Sequence, residues 1–239
     1  MQKHKLSNGV TILVDQDNRF SSVGFAISLH GGLRSESIET AGITHLTEHL
    51  VLKKTKSKSA RQIAEYVDLL GGDVNAFTDA DSMCLYGYVQ KDDSKKIMDF
   101  FAELLFEADF SQKDLAIEKE IVRQEILDSE DDPGEVNYNL FCKYFWPNSL
   151  LGLPVSGDIK NLETFSYGDI YERLQSLLQG DKITIVASGA VSLEQVVQYA
   201  EKNFSHLAKG KRAEFITPDT SLGVYAIQEK FSQVHFSLG

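Results

Sequence analysis

Cysteine pairs and long apolar runs are both missing from this sequence. Its 239 residues include two cysteines, Cys84 and Cys142, and no C-x-x-C pair, which is too few for a disulfide framework and suits a reducing compartment. No apolar stretch of about 18 residues predicts a membrane span, and the N-terminus has no apolar core of a signal peptide. These absences predict a cytoplasmic protein.

Positive charge is also scarce. The chain has 24 lysines and arginines against 35 aspartates and glutamates, which gives a net charge of -11. Such a chain is a poor match for nucleic acid or anionic membranes, so neither is expected as a partner. The hydrophobic and charged fractions, 42% and 25%, are ordinary for a globular protein. The length allows one large domain or two small ones.

Apolar residues recur with helical or strand spacing along most of the chain. Helices are predicted at residues 40–52, 59–70, 94–108, 111–128, 136–144, 167–178 and 193–204. Strands are predicted in a hairpin across residues 6–14 and at residues 22–29, 73–78, 82–89, 183–187, 223–229 and 231–238. The strands come in adjacent pairs as often as alone. This pattern favours an α+β fold of two layers, with a largely antiparallel sheet covered by helices, over a doubly wound parallel sheet.

Two histidines lie one turn apart in the helix predicted at residues 40–52. His45 and His49 therefore share one face, where two imidazoles can bind one metal ion. Glu48 flanks that face, so the parts of the H-E-x-x-H signature occur in reversed order. Zinc suits two imidazoles and a carboxylate, and Glu48 could take a proton from a zinc-activated water as general base. The alternative is an ordinary solvated helix face.

Two glutamates in the helix predicted at residues 111–128 are candidates for the third ligand. Glu118 and Glu125 lie in or beside its apolar stripe, seven residues apart, so both carboxylates point the same way. A buried carboxylate is costly unless it is paired or binds a metal. The alternative is that both are solvated and pair with Lys119 and Arg123. The pattern alone leaves these two interpretations open.

With these residues the chain resembles the inverzincin metallopeptidases, the group of pitrilysin, insulin-degrading enzyme and mitochondrial processing peptidase. The resemblance implies a zinc endopeptidase with one Zn²⁺ per chain, bound by His45, His49 and Glu125, and activated through Glu48. It also implies that Glu118 orients a ligating histidine. Other matching segments are Leu6-Ser7-Asn8-Gly9, Gly42-Ile43-Thr44, Gly71-Gly72, Asn75-Ala76-Phe77-Thr78 and Leu151-Gly152-Leu153-Pro154.

The segment at residues 75–78 resembles the edge strand that holds substrate in this family. That strand binds peptides by strand addition, which depends on backbone hydrogen bonds and so tolerates many sequences. The resemblance therefore implies peptide substrates that contact Asn75, Ala76 and Phe77. A metal-dependent hydrolase of non-peptide substrates is a weaker alternative, because it would not need such a strand.

The resemblance covers one half of a family subunit, which usually has two homologous halves. We therefore expect residues 1–215 to form the N-terminal half-domain, and residues 216–239 to form a linker and the first strand of a second one. The expected partner is a second homologous half or another subunit of an oligomer. A rival hypothesis is a non-catalytic scaffold or partner subunit that keeps the zinc site but is inactive without a second half.

Overall fold

The computed structural model of the chain describes residues 1–228 and 232–239. Six strands form its sheet: β1 (Gln2–Lys5), β2 (Thr11–Gln16), β3 (Ser22–His30), β4 (Asp73–Thr78), β5 (Ser82–Gln90) and β6 (Ile183–Gly189). Their order in space is β1-β2-β6-β3-β5-β4. Within the described residues, β2 and β6 pair in parallel and all other neighbours are antiparallel. The predicted largely antiparallel sheet is confirmed.

Eight helices accompany the sheet in the described part of the chain. They are α1 (Ile43–Val51), α2 (Ala60–Leu70), α3 (Ser94–Phe106), α4 (Gln112–Asp131), α5 (Pro133–Phe145), α6 (Ile159–Thr164), α7 (Tyr167–Leu177) and α8 (Leu193–Phe204). The short α6 was not predicted. Helix α5 begins earlier than predicted, because Asp132 caps it and Pro133 provides its first turn. None of these helices is both long and apolar enough to cross a bilayer.

The main core lies between one face of the sheet and helices α1, α3 and α8. Alternate residues of β3 point into it, so the strand reads as buried and half-buried in turn. Phe100 and Phe101 of α3 and Phe204 of α8 are fully buried there. Burial of each such side chain stabilises the fold by roughly 1.5–3 kcal/mol. These helices and the sheet form the two predicted layers.

A second apolar cluster joins α1 to α4. Leu46 and Leu50 of α1 are fully buried against Val122 and Ile126 of α4. Val51, at the end of α1, belongs to the main core instead. Helix α1 is therefore packed on two sides, against the sheet and against α4. This packing places the histidine face of α1 next to the glutamates of α4.

The two strands predicted at the C-terminus are not formed in the residues that the structure describes. Residues 223–228 and 232–239 have no regular secondary structure, and residues 229–231 lie outside the described residues. The segment lies against α5, where the Tyr225 ring stacks on Tyr144 at 4.2 Å between centroids. A strand needs a neighbour for its backbone N–H and C=O groups, and this segment pairs with no strand that the structure describes. The predicted domain boundary at residue 215 stays a prediction.

Candidate metal centre

Helix α1 begins sharply and carries its two half-buried histidines on one side. Its first residue follows Gly42, which has a φ of 98°, a left-handed conformation that glycine adopts without strain. A Cβ at Gly42 would lie 2.5 Å from the carbonyl oxygen of Ser156, so the chain approaches too closely for a side chain. One turn further on, the rings of His45 and His49 lie edge to face with centroids 4.8 Å apart. The predicted shared face of the two histidines is therefore observed.

Three donor atoms meet between α1 and α4. Oε2 of Glu125 lies 3.8 Å from Nε2 of His45 and 3.5 Å from Nε2 of His49. All three donors lie within 4.8 Å of one another. A tetrahedral zinc site with ligand bonds of about 2.0–2.2 Å places its donor atoms about 3.3 Å apart. The observed spacing fits one zinc ion after a small inward movement of the side chains.

His45 also has the protonation state that a metal ion requires. Burial, together with the smaller effect of the nearby charge of His49, lowers the pKa of His45 from 6.5 to about 4. The ring is thus neutral at physiological pH, with a lone pair available for a cation. Two imidazole nitrogens and one carboxylate oxygen form a donor set that zinc prefers. On both geometry and charge, these residues fit zinc.

Glu118 takes a different place from Glu125. It is 3% exposed, and its Oε2 lies 3.2 Å from Nδ1 of His49, on the far side of the ring from the donor group. Its Oε1 lies 2.6 Å from Nζ of Lys53, an ion pair without an aligned hydrogen bond. The solvated alternative is wrong for Glu118, because its carboxylate is buried, paired with the Lys53 cation and in contact with Nδ1 of His49.

Lys119 and Arg123, which this alternative pairs with the two glutamates, contact Glu163 instead. Arg123 pairs with Glu163, and Nζ of Lys119 donates to the backbone carbonyl of Glu163 at 2.9 Å. Both therefore contact Glu163 of α6. Glu125 keeps a half-exposed side chain, 46% accessible, whose only described partners within salt-bridge distance are the two histidines.

Glu48 lies beside the donor group with its carboxylate fixed from the sheet. Its side chain is buried, and Oγ1 of Thr78 donates a hydrogen bond to Oε2 at 2.6 Å. Burial raises the pKa of Glu48, while the Thr78 hydrogen bond and the charge of His49 oppose that change. A carboxylate whose pKa is raised is a stronger proton acceptor than an ordinary one. The arrangement can therefore support proton transfer next to the donors.

Thr78 ends β4, which is one edge of the sheet. Asn75 and Phe77 face outward, and Phe77 is 45% exposed with its ring 5.8 Å from that of Tyr86. Ala76 points to the core side, and its N–H is bound by the Asn75 side chain at 2.8 Å. One backbone edge of β4 is unpaired among the described strands, so an extended peptide could add to it. The last residue of this edge strand, Thr78, donates the hydrogen bond to Glu48.

Comparison with known proteins places this chain in a family. The profile of the insulinase family, peptidase family M16, matches residues 10–158. The chain belongs to this family. A second profile, described as the M16 inactive domain, matches residues 164–239. The resemblance stated from the sequence motifs is confirmed.

The relatives of this family member include proteins named as zinc proteases. The uncharacterized zinc protease YmxG of Bacillus subtilis is 31% identical over 240 residues, which are 100% of this chain and 58% of the relative. The beta subunit of the mitochondrial-processing peptidase of Saccharomyces cerevisiae is 26% identical over 228 residues, 95% of this chain and 49% of the relative. The chain thus spans about half the length of the curated relatives it matches.

Solved structures share the fold. A protease from Helicobacter pylori superposes with a TM-score of 0.82 at 20% identity, over 92% of this chain and 53% of that one. The periplasmic protease PqqL from Escherichia coli gives a TM-score of 0.81 at 20% identity, over 92% of this chain and 25% of that one. At this identity, the likeness establishes the α+β fold.

Sequence patterns did not reveal three contacts around the centre. Thr78 belongs to the segment at residues 75–78 that matches the family, but the sequence pattern assigned no role to it. Its position at the end of a predicted strand was the only signal that it could lie at a functional site. Lys53 follows His49 by four residues, a spacing that places it near the same helix face and could have suggested its ion pair with Glu118. The contacts that Glu36 and Arg173 make at the start of α1 have no local pattern at all.

Proposed function

We propose that this chain is the catalytic half of a zinc-dependent endopeptidase that cleaves peptides or unfolded protein segments. One observation carries the proposal: Nε2 of His45, Nε2 of His49 and Oε2 of Glu125 converge beside the buried carboxyl group of Glu48. The zinc-protease names of the relatives support the same activity.

The proposed roles follow from the contacts. His45, His49 and Glu125 hold one Zn²⁺, and Glu118 keeps His49 in the ligating orientation through its Nδ1. When bound, zinc supplies Lewis-acid chemistry, because it polarises a peptide carbonyl and lowers the pKa of water to about 7. Glu48 accepts the proton of the attacking water and then donates it to the leaving amine. Its raised pKa favours holding that proton between the two steps.

The proposed substrate lies along β4 in an extended form. Its backbone pairs with the free edge formed by Asn75, Ala76 and Phe77, which directs the scissile bond towards Glu48 at the end of the strand. The Asn75 side chain must leave the N–H of Ala76 for this pairing to use that donor. Because backbone groups make the contacts, cleavage depends more on an extended conformation than on a fixed sequence.

The proposal includes a second homologous half-domain or an equivalent oligomeric partner. YmxG is covered over 58% of its length by this chain, which supports a larger working unit. Residues 216–239 remain the proposed link towards that second half. The proposed location is the cytoplasm, supported by two unpaired cysteines, whereas the similar PqqL is periplasmic. Cell fractionation distinguishes the two compartments.

One observation favours a second candidate function. The match of residues 164–239 to the M16 inactive domain is compatible with a non-catalytic partner subunit that retains zinc. Such a subunit would bind the metal ion and a peptide but would not hydrolyse it. Both candidates share the metal site and differ only in turnover.

The test is a cleavage assay with fluorogenic, unstructured peptides. The zinc-loaded chain is assayed alone and after mixing with a separately expressed C-terminal half of the family, with 1,10-phenanthroline as the inhibitor control. Phenanthroline-sensitive cleavage, alone or on mixing, supports the peptidase. Stoichiometric zinc without cleavage under any of these conditions would contradict it and favour the scaffold.

A further inference from the structure

We infer that Glu36 and Arg173 are positioning residues, which together fix the first turn of α1 and thereby set the place of the His45 imidazole. The inference rests on the proposed metal site. It concerns residues that do not touch the three donor atoms. They lie at the opposite end of α1 from the His49–Glu118 contact, and they link three segments of the chain: the loop after β3, the start of α1 and α7.

Glu36 binds the N-terminus of α1. Its Oε2 accepts the N–H of Gly42 at 2.8 Å, and its Oε1 accepts the N–H of Thr44 at 2.9 Å. The hydroxyl group of Thr44 donates to the same Oε1. A carboxylate in this place satisfies N–H groups that have no partner within the helix, and its charge complements the positive end of the helix dipole. The first turn of α1 is thus held by a side chain from outside the helix.

Arg173 of α7 holds the same turn from the other side. Its Nε donates to Oγ1 of Thr44 at 2.9 Å, so the Thr44 hydroxyl links Arg173 to Glu36. One terminal nitrogen of Arg173 also donates to Oγ of Ser35 at 2.6 Å and to the carbonyl oxygen of Gly31. Arginine can make all these contacts at once because its planar guanidinium carries five N–H donors.

The loop that Arg173 binds is itself tied to the turn after β4. The N–H of Gly31 donates to the carbonyl of Asp81 at 2.9 Å, and the N–H of Arg34 donates to that of Ala80 at 2.8 Å. A Cβ on Gly32 would lie 2.0 Å from the carbonyl oxygen of Asp79, so this approach requires glycine. The network therefore connects the start of α1 with the end of the strand that holds Thr78.

His45 depends on this network more than His49 does. Glu118 orients His49 directly, but Nδ1 of His45 is buried and has no hydrogen-bond partner among the described residues. The direction of the His45 ring is consequently set by the position of its backbone, and His45 directly follows Thr44. Movement of the first turn would carry Nε2 of His45 away from Glu125, which lies 3.8 Å away.

The test measures Zn²⁺ affinity of the full chain by competition with a chromophoric chelator. The variants are Arg173→Met, Thr44→Val, Glu36→Gln and Arg173→Lys. We expect Arg173→Met, Thr44→Val and Glu36→Gln to weaken Zn²⁺ binding about 10-fold to 100-fold, the range found when groups that support metal ligands are removed. Arg173→Lys keeps the charge and part of the contacts, so it should lose less affinity than Arg173→Met.

Asp99→Asn is the matched control for a general loss of stability. Asp99 accepts hydrogen bonds from Lys202 and Asn203 between α3 and α8, away from the metal centre. Its variant should keep wild-type Zn²⁺ affinity even where its thermal unfolding midpoint falls as much as that of Thr44→Val. The inference is overturned if Asp99→Asn loses affinity equally. It is also overturned if Thr44→Val, Glu36→Gln and Arg173→Lys fold and bind Zn²⁺ like the wild type.

Circular dichroism of each zinc-free variant reports whether it has folded. If Arg173→Met does not fold, Thr44→Val and Glu36→Gln decide the question, because both keep side-chain volume close to the original. A wild-type chain that binds no Zn²⁺ would contradict the metal site itself, and the inference with it. Wild-type binding together with unchanged variants would contradict the positioning role alone.

Discussion

Nδ1 of His49 lies 3.2 Å from Oε2 of Glu118, so a buried carboxylate holds one side of the imidazole ring. The other ring nitrogen, Nε2, lies 3.5 Å from Glu125 of the same helix α4. When Nδ1–H donates to Glu118, the lone pair of Nε2 points to the donor group. Glu118 and Glu125 of α4 thus lie on opposite sides of the His49 ring, Glu118 at Nδ1 and Glu125 at Nε2.

This relationship predicts that Glu118→Gln weakens Zn²⁺ binding without removing any ligand. The amide cannot supply the negative charge that strengthens His49 as a donor, so we expect a loss of about 10-fold to 100-fold in affinity, measured by chelator competition. Glu120→Gln is the control, because Glu120 lies on the same helix with a side chain 75% exposed. Equal affinities of Glu118→Gln and wild type would contradict the orienting role.

A stronger effect is expected when a donor itself is removed. His45→Ala should purify without zinc, because two remaining donors cannot hold the ion against buffer and chelator. Elemental analysis measures the zinc content per chain. His4→Ala serves as the control, since His4 is an exposed residue of β1. Full retention of zinc in His45→Ala would count against the proposed ligand set.

The part of the centre within one helix could be predicted from the sequence, because helix geometry is local. His45, Glu48 and His49 needed only the 3.6-residue period of α1. The separate places of Glu118 and Glu125 could not be predicted from spacing alone. They depend on how α4 packs on α1 through buried leucine, valine and isoleucine side chains, which no short pattern records.

Most of the fold followed from the spacing of apolar residues, and the failures have physical causes. The apolar alternation in residues 223–228 resembles a strand, but a strand also needs a partner for its backbone, and the described segment has none. The contacts between Glu36, Thr44 and Arg173 join residues 8 and 129 positions apart in the chain. Such contacts between side chains of different elements leave no periodic signal.

The half-buried His45 predicts a pH dependence of stability in the zinc-free chain. Its pKa is about 4 in the folded state and 6.5 without burial. Between these values the unfolded chain binds more protons, so stability is lost as the pH falls from 6.5 towards 4, and this effect is absent above 6.5. From about pH 7.5 to about pH 4.5 the loss from this group is about 2–3 kcal/mol.

Urea unfolding of wild type and His45→Gln at the two pH values measures this contribution. The raised pKa values of Glu36 and Glu48 act in the opposite direction, because a group that binds protons more tightly when folded loses its stabilisation as the pH rises. Glu36 and Glu48 are present in both wild type and His45→Gln. Their contributions therefore largely cancel when the unfolding free energies of the two proteins are subtracted. Identical pH dependence of wild type and His45→Gln would show that His45 is not buried as a neutral ring.

Replacement of the proposed proton acceptor should separate binding from turnover. Glu48→Gln keeps the size of the side chain and removes no donor, so the variant should retain one Zn²⁺ by elemental analysis. Hydrolysis of the fluorogenic peptide should be abolished, because an amide cannot accept the proton of water. Glu39→Gln, at an exposed position outside the centre, is the control. Wild-type cleavage by Glu48→Gln would show that another group activates the water.

Thr78 offers a finer test, because its hydroxyl group connects the substrate edge to Glu48. Thr78→Val keeps the β-branched shape that suits β4 but removes the 2.6 Å hydrogen bond, so the carboxylate loses its fixed orientation. A misplaced proton acceptor should lower kcat about 10-fold or more with little change in KM, since general-base catalysis contributes roughly 10²–10⁴-fold. Thr78→Ser, which retains the hydroxyl group, should stay close to wild type. If Thr78→Val and Thr78→Ser have the same kcat, the hydroxyl group has no part in placing Glu48, and β4 contributes to the reaction only through its backbone.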